Sequence, residues 1–352
     1  MAKKAHLIGI CGAGMSAVAH LLKAQGYEVS GSDEGFYPPV SDYLEKLQIP
    51  CITGYRRGNI PPEVDLIVIG KNAKLIPETN PEVAEALNEH REIVKSFPEV
   101  LRDLTDENDR VVIVGSYGKS TLTSIIAWCL VHAGKDPGYF IGAVPKNLDT
   151  SSALGSGEHF IFEGDEYPSA NWDQRSKFMH YDPQIVILTS ASHDHVNIFP
   201  TLEDYHAPFK DLLEKLSQQQ GLLIACLDEP NARDFYEAYP AAKVSYGLSG
   251  AVHWKAQDIV LGKDTSFRLV SEGKRVAHIR TSMLGRHNIQ NIVGAAAYLI
   301  GENELEVMEF TEAIEAFQGL TRRLDLKSKK TTLPIYEGFG SSYEKARSAI
   351  TA

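Results

Sequence analysis

The chain has 352 residues, with 35 Lys and Arg against 46 Asp and Glu, a net charge of −11. This acidic balance argues against a general nucleic-acid or anionic-membrane surface, which needs a basic face. A length of this order implies two domains or a little more. The 43% apolar and 23% charged fractions exclude a disordered chain. No apolar run approaches the ~20 residues of a membrane span. The N-terminus passes from two lysines straight into a strand-like run, without the apolar core and cleavage site of a signal peptide. Cys11, Cys51, Cys129 and Cys226 are scattered, with no Cys-x-x-Cys. Reduced thiols in a cytoplasmic protein are the expectation.

Residues 6–11 (HLIGIC) are a short apolar run, followed by a glycine turn and a helical stretch to about Gln25. Residues 27–33 and 65–70 read as strands and residues 81–90 as a helix. This alternation predicts βαβ units and a parallel sheet covered by helices. The polar stretch RDLTDENDR at 102–110 reads as a linker. The pattern then restarts, with a strand at 110–115, a glycine turn and a long helix at 121–134. Runs at 159–166, 183–190 and 221–226 continue the second sheet. From Val252 to Leu284 the apolar period is two, with turn signals, which predicts an antiparallel β segment. Residues 287–300 and 304–317 read as helices, and a lysine-rich strand-like stretch follows Arg322 and Arg323.

The first glycine turn holds Gly9, Gly12 and Gly14 between a strand and a helix. Glycines there let the backbone approach a diphosphate, and the helix N-terminus attracts its charge. Asp33 follows Gly14 by 19 residues, where an acid would meet a ribose hydroxyl. By itself the turn fits a nicotinamide-dependent oxidoreductase, another phosphorylated ligand or a plain tight βα turn.

The second turn, GSYGKST, spans Gly115, Ser116, Tyr117, Gly118, Lys119, Ser120 and Thr121. Its Gly-x-x-Gly-Lys-Ser is two residues shorter than the G-x-x-x-x-G-K-[ST] phosphate loop. The chemistry is the same. Backbone N–H groups cradle phosphates, Lys119 neutralises the β/γ charge, and the Ser120 hydroxyl can ligate Mg²⁺. A simple dehydrogenase has no use for this second phosphate site. The expected fold class is therefore α/β: an N-terminal Rossmann-like parallel-sheet domain, then a P-loop-type ATP-binding α/β domain with an antiparallel β segment.

GICGAGMS with GSD, then VGSYGKST, EGDE, an Asp-His pair and GRHNIQN, in that order, resemble the Mur ligases. These are the ATP-dependent amide ligases of peptidoglycan synthesis. YPPVSDYLEK at 37–46 and EGDEYPSANWDQRSKFMHYDP at 163–183 resemble the recycling branch, which joins a murein tripeptide to UDP-N-acetylmuramate. The resemblance covers residues 6–337 and implies boundaries at 1–105 for the UDP-N-acetylmuramate domain and 106–325 for the ATPase domain. Residues 326–352 are implied to be the stub of a third domain.

The resemblance also implies roles. Lys119, Glu163 and His195 are the expected catalytic groups, with Ser120 and Glu163 on Mg²⁺ and His195 on a second Mg²⁺. ATP would lie on Gly115–Thr121, with His287, Asn288 and Asn291 at the adenine and Arg322 at the phosphates. Asn288 is alternatively a helix N-cap, and Arg323 a surface charge. Gly12, Ala13, Gly14, Met15, Ser16 and Asp33 would bind UDP-N-acetylmuramate, and Arg175 would line the muropeptide pocket beside Ser176 and Lys177. Asp165 and Glu166 match the family pattern without an assignable role.

The sequence departs from that pattern in the phosphate loop, where Tyr117 and Ser120 stand for a histidine and a threonine. Ser190 and Ser192 stand for an Asn and a Glu. Near the C-terminus, the family's Tyr-Asp-Asp-Phe-x-His-His-Pro becomes Tyr336, Glu337, Gly338, Phe339, Gly340, Ser341, Ser342 and Tyr343. The implied function is amide ligation through an acyl phosphate in peptidoglycan recycling. The alternatives are an L-alanine-adding ligase and a non-catalytic module that binds UDP-muropeptide or ATP.

Overall fold

The computed structural model describes residues 2–328, apart from Pro39 and Lys263, together with residues 335–338, Ala346 and Ile350. Chain contacts divide it into two units. One comprises Met1–Glu107 with Tyr167–Tyr181, the other Asn108–Glu166 with Asp182–Ala352.

In the first unit, β1 (Lys4–Ile8), β2 (Glu28–Asp33), β3 (Cys51–Thr53), β4 (Leu66–Ile69) and β5 (Val94–Lys95) form a parallel sheet of order β3-β2-β1-β4-β5. The apolar runs of β1 and β4 are nearly all buried, as strands covered on both faces require. Helices α1 (Ala13–Ala24), α2 (Val40–Lys46) and α3 (Pro81–Glu89) lie between the strands, and α4 (Phe97–Leu104) follows β5. The first strand ends at Ile8 rather than Cys11, because Gly9 turns with a φ of 83°. The order reverses between β1 and β4, so the loop after β1 opens at the point where such sheets bind ligands.

The expected linker at 102–110 is shorter than its polarity suggested. Ser96 and Glu99 form a capping box that starts α4, and the helix runs on to Leu104. Arg102 and Asp106 pair across its last turn. Residues 105–108 alone then lead into the next strand.

The second unit contains a mixed sheet of order β15-β14-β13-β12-β11-β10-β6-β9-β7-β8. The strands are β6 (Asp109–Val114), β7 (Gly138–Phe140), β8 (Ser152–Ala153), β9 (His159–Glu163), β10 (Ile185–Leu188), β11 (Leu222–Cys226), β12 (Lys243–Gly247), β13 (Trp254–Val260), β14 (Thr265–Ser271) and β15 (Lys274–Thr281). Strands β9, β6, β10, β11 and β12 are parallel, and β13–β15 form the expected antiparallel segment. The helices are α5 (Lys119–His132), α6 (Leu202–Gln218), α7 (Pro230–Ala238), α8 (Arg286–Leu299) and α9 (Val307–Ala316). α5, α8 and α9 share one core with the sheet, built around Ile125, Ile292 and Phe310. A two-stranded pair, β16 (Asp325–Leu326) and β17 (Tyr336–Glu337), follows. Lys329, Lys330 and the departures at residues 339–343 lie outside the described residues.

β6 lies between β9 and β10, pairing Ile113 with Glu163 and Val114 with Leu188. The loops that follow these three strands therefore emerge side by side. They carry residues 115–118, 164–166 and 189–195.

Candidate active site

In the second unit the phosphate loop is shaped by two glycines that no other residue could replace without strain. Gly115 has φ 136°, and an added Cβ would lie 2.6 Å from the Ser190 carbonyl oxygen. Gly118 has φ 88° and is the residue from which α5 starts. A Cβ there would meet Asn291 Oδ1 at 2.9 Å, so Asn291 abuts the loop. The helix starts without a side-chain cap. Its first N–H groups are those a bound phosphate would satisfy.

Ser190 and Thr189 hold the loop from the next strand. The Tyr117 N–H donates to Ser190 Oγ at 3.0 Å, and Ser116 Oγ lies 3.1 Å from the same atom. Thr189 donates its hydroxyl to the Tyr117 carbonyl. Ser190, a departure from the family pattern, is thus a buried anchor of the loop backbone. The sequence held no local signal for it, since its partners lie more than 70 residues away.

Ser120 donates its hydroxyl to Glu163 Oε1 at 2.8 Å, and the Gly142 N–H donates to Glu163 Oε2 at 2.6 Å. Burial pushes the Glu163 carboxyl up, against the opposing pull of Lys119, Ser120 and the Gly142 N–H. A hydroxyl beside a carboxylate is a hard oxygen set that suits Mg²⁺. The ammonium of Lys119 donates to Glu166 Oε2 at 2.7 Å and to the Gly115 carbonyl. Burial pulls its pKa down, but Glu166, Asp165 and Glu163 outweigh burial and leave it raised. Lys119 is therefore a fixed cation at neutral pH. His195 Nε2 stands 3.1 Å from Glu166 Oε1.

Asn288 and Asn291 share one side of α8, with Asn291 Nδ2 3.5 Å from Asn288 Oδ1. Asn288 is not the N-cap. Gly285 takes that place without a side-chain bond, and Asn288 Nδ2 donates back to the Leu284 carbonyl at 2.7 Å. His287 is held below its ordinary pKa by burial. Arg322 is not drawn into these contacts. Its side chain is 66% exposed and pairs with Glu337 at 3.1 Å.

In the first unit, Gly12 precedes α1 with an ordinary φ of −59°. Ala13, Gly14 and Met15 form its first turn, and the Ser16 N–H donates to the Gly12 carbonyl. A Cβ on Gly14 would press the Phe97 ring at 3.1 Å, whereas one on Gly12 would meet only ordinary contacts from 3.5 Å. Asp33 Oδ2 accepts from the Cys11 N–H at 2.8 Å, and Oδ1 accepts from the Tyr55 hydroxyl at 3.2 Å. The acid thus braces the glycine turn. Cys11 and Tyr55 in this role were not legible in the sequence.

Arg175 also belongs to the first unit, with residues 167–181. Asp173 holds its guanidinium through Nε and Nη2, at 3.0 and 2.7 Å. Nearby, Lys177 stands over the Phe97 ring, Arg91 over Trp172, and Asn171 donates to the Leu75 carbonyl at 2.6 Å. These contacts tie the segment to α4 and to the loop after β4. Among the described residues no helix is long and apolar enough to cross a membrane.

Two α/β units, the second with a Gly-x-x-Gly-Lys-Ser loop facing buried acids, define the class of phosphate-loop nucleotide-dependent enzymes. Residues 4–108 match "Mur ligase family, catalytic domain" and residues 113–299 match "Mur ligase middle domain". The chain belongs to the Mur ligase family, the ATP-dependent, ADP-forming amide ligases of peptidoglycan metabolism. It is 31% identical to UDP-N-acetylmuramate–L-alanyl-gamma-D-glutamyl-meso-2,6-diaminoheptandioate ligase of Haemophilus influenzae, over 99% of this chain and 76% of that protein. It is 30% identical to UDP-N-acetylmuramate–L-alanine ligase of a Geobacter species, over 99% of this chain and 73% of that protein. The crystal structure of UDP-N-acetylmuramate:L-alanyl-gamma-D-glutamyl-meso-diaminopimelate ligase from Neisseria meningitides superposes with a TM-score of 0.80. The two share 30% identity, over 92% of this chain and 100% of that one.

Proposed function

We propose that the chain joins L-alanyl-γ-D-glutamyl-meso-diaminopimelate to UDP-N-acetylmuramate at the expense of ATP. The lactoyl carboxylate attacks the γ-phosphorus, releasing ADP and leaving an acyl phosphate. The alanine amine of the tripeptide then displaces inorganic phosphate through a tetrahedral intermediate. Both steps move negative charge, so fixed cations and N–H dipoles carry most of the stabilisation. The observation that carries the reading is Lys119 at the start of α5, with Ser120 and Glu163 2.8 Å apart beside it.

In this reading the loop N–H groups from Ser116 to Lys119 hold the phosphates and Lys119 neutralises their β/γ charge. Ser120 and Glu163 would hold one Mg²⁺, and His195 a second. When bound, the metal supplies charge neutralisation on the phosphate oxygens. Asn288 and Asn291 read the adenine edge. Arg322, paired with Glu337 through Nε, would meet the phosphates. Gly12, Ala13, Gly14, Met15 and Ser16 receive the UDP diphosphate, and Asp33 keeps that turn in shape. Arg175 faces the peptide end of the substrate. The partners are thus UDP-N-acetylmuramate and the murein tripeptide.

The segment 163–183 favours the tripeptide, since its resemblance is to the recycling branch. The L-alanine-adding reading is favoured by the Geobacter relative, which is nearly as similar. The test is ADP formation by purified protein with Mg·ATP and UDP-N-acetylmuramate, with tripeptide or L-alanine as acceptor. ADP that appears only with tripeptide is the expected result. ADP with L-alanine instead assigns the second reading. Tight binding without ADP in either case overturns both in favour of a binding module.

A further inference from the structure

Glu166 has no part in the roles above, yet it is the most enclosed acid of the second unit's site. Its side chain is fully buried, at 0% exposure. Oε2 accepts from Lys119 Nζ at 2.7 Å. Oε1 faces His195 Nε2 at 3.1 Å and accepts from the Tyr205 hydroxyl at 3.3 Å. One carboxylate thus links the first residue of α5 to the loop after β10, and a third donor on α6 fixes its rotamer. Tyr205 is itself wholly buried, among Phe199, Phe209 and His206.

We propose that Glu166 is a positioning residue that sets Lys119 and His195 in register, each through its own carboxylate oxygen. The proposal rests on the reading of Lys119 and His195 as groups that meet phosphate and metal. A lysine side chain has four rotatable bonds, so a buried anchor removes the disorder that would blur its charge. For His195, donation from Nε2 to Glu166 leaves the lone pair on Nδ1. The carboxylate therefore selects the tautomer and the ring atom presented to a ligand. The backbone of His195 is held too. Its φ is 55°, and its N–H donates to the Asp194 carboxylate at 2.9 Å. A left-handed φ is uncommon outside glycine. The position of this ring is thus specified twice.

The first readout needs no substrate. Imidazole nitrogen NMR of the ligand-free protein, with His195 identified by its loss in His195→Gln, reports the tautomer. Wild type is expected to show the Nε2–H form, and Glu166→Gln to shift His195 away from it, because one amide oxygen cannot serve both partners. The second readout is ADP formation. Glu166→Gln is expected to lower kcat about 100-fold with KM for ATP changed less than about threefold, the pattern of misplaced groups rather than lost binding. Its loss and that of His195→Gln are expected not to multiply in the double variant.

An unchanged His195 signal, a kcat within about twofold of wild type, or fully multiplicative losses would each overturn the proposal. Should Glu166→Gln fail to fold, Tyr205→Phe keeps both charged contacts and frees only the rotamer, and a fall in kcat of about fivefold is expected. An unchanged kcat there overturns the proposal equally. If wild type forms no ADP while His195 responds to Glu166→Gln, the ligase reading fails and the positioning role stands.

Discussion

Ser120 donates its hydroxyl to Glu163 at 2.8 Å, although the two residues lie 43 positions apart. The contact exists because β9 lies beside β6, so the acid ending one strand meets the helix start that follows the other. Lys119 and Glu166 repeat this relationship, one residue earlier in the helix and three residues later after the strand.

Removal of Lys119 tests both halves of that arrangement. Lys119→Ala is expected to abolish ATP binding by calorimetry. It also leaves Glu166 buried without its principal counter-charge, which should cost about 3 kcal/mol in urea unfolding. Retained ATP affinity would sink the assignment of the loop.

Ser190 anchors the loop through the Tyr117 N–H. Ser190→Ala removes the acceptor of that half-buried N–H, at a cost of about 1 kcal/mol. Affinity for ATP should fall about tenfold, since the loop must be re-ordered on binding. A calorimetric Kd equal to that of wild type would show that the loop holds its shape without Ser190.

Gly12→Val separates ligand approach from folding. A Cβ at this position meets only ordinary contacts, from 3.5 Å, so the melting temperature should stay within a few degrees. UDP-N-acetylmuramate affinity should fall by at least tenfold, because the branched side chain stands where the diphosphate approaches. An unaltered affinity would place the diphosphate elsewhere.

Cys11 carries the pH prediction. Burial first, then the Asp33 carboxylate and Cys51, push its thiol up to about 12. A raised thiol pKa means that the reactive thiolate is scarce at neutral pH and grows tenfold per unit on the alkaline side. Against an ordinary thiol of pKa ≈ 8.5, alkylation of Cys11 at pH 8 should be about a thousand-fold slower. Asp33→Asn should speed it. Peptide mass spectrometry after iodoacetamide labelling measures both, and a rate matching free cysteine would remove the claimed burial of this thiol against Asp33.

The glycine turns were readable because they are local. Gly115 and Gly118 need a positive φ, and the strand before them and the helix after them follow from adjacent apolar patterning. The antiparallel segment showed itself through its period of two. The short strands β3 and β5 were not readable, because three and two residues are too few to display a period. Helix α4 reads in part as a linker because Arg102 and Asp103 make its last turn look polar, although Leu101 is buried and a capping box sets its start. Glu163 and Glu166 were both visible in EGDE, but their partners were not. Which acid faces Ser120 and which faces Lys119 depends on how the strand end is turned against the helix.

The sequence by itself determined two α/β units, the two phosphate-type turns, the antiparallel segment and the family. Each is written in neighbouring residues or in the order of short motifs along the chain. Only the tertiary structure decided that residues 167–181 count with the first unit, that Ser190 and Thr189 hold the phosphate loop, and that Glu166 joins Lys119 to His195. Those relations are set by strand order and by the burial of charge. Strand order places residues tens of positions apart side by side, and a buried carboxylate must find its donors wherever the fold provides them.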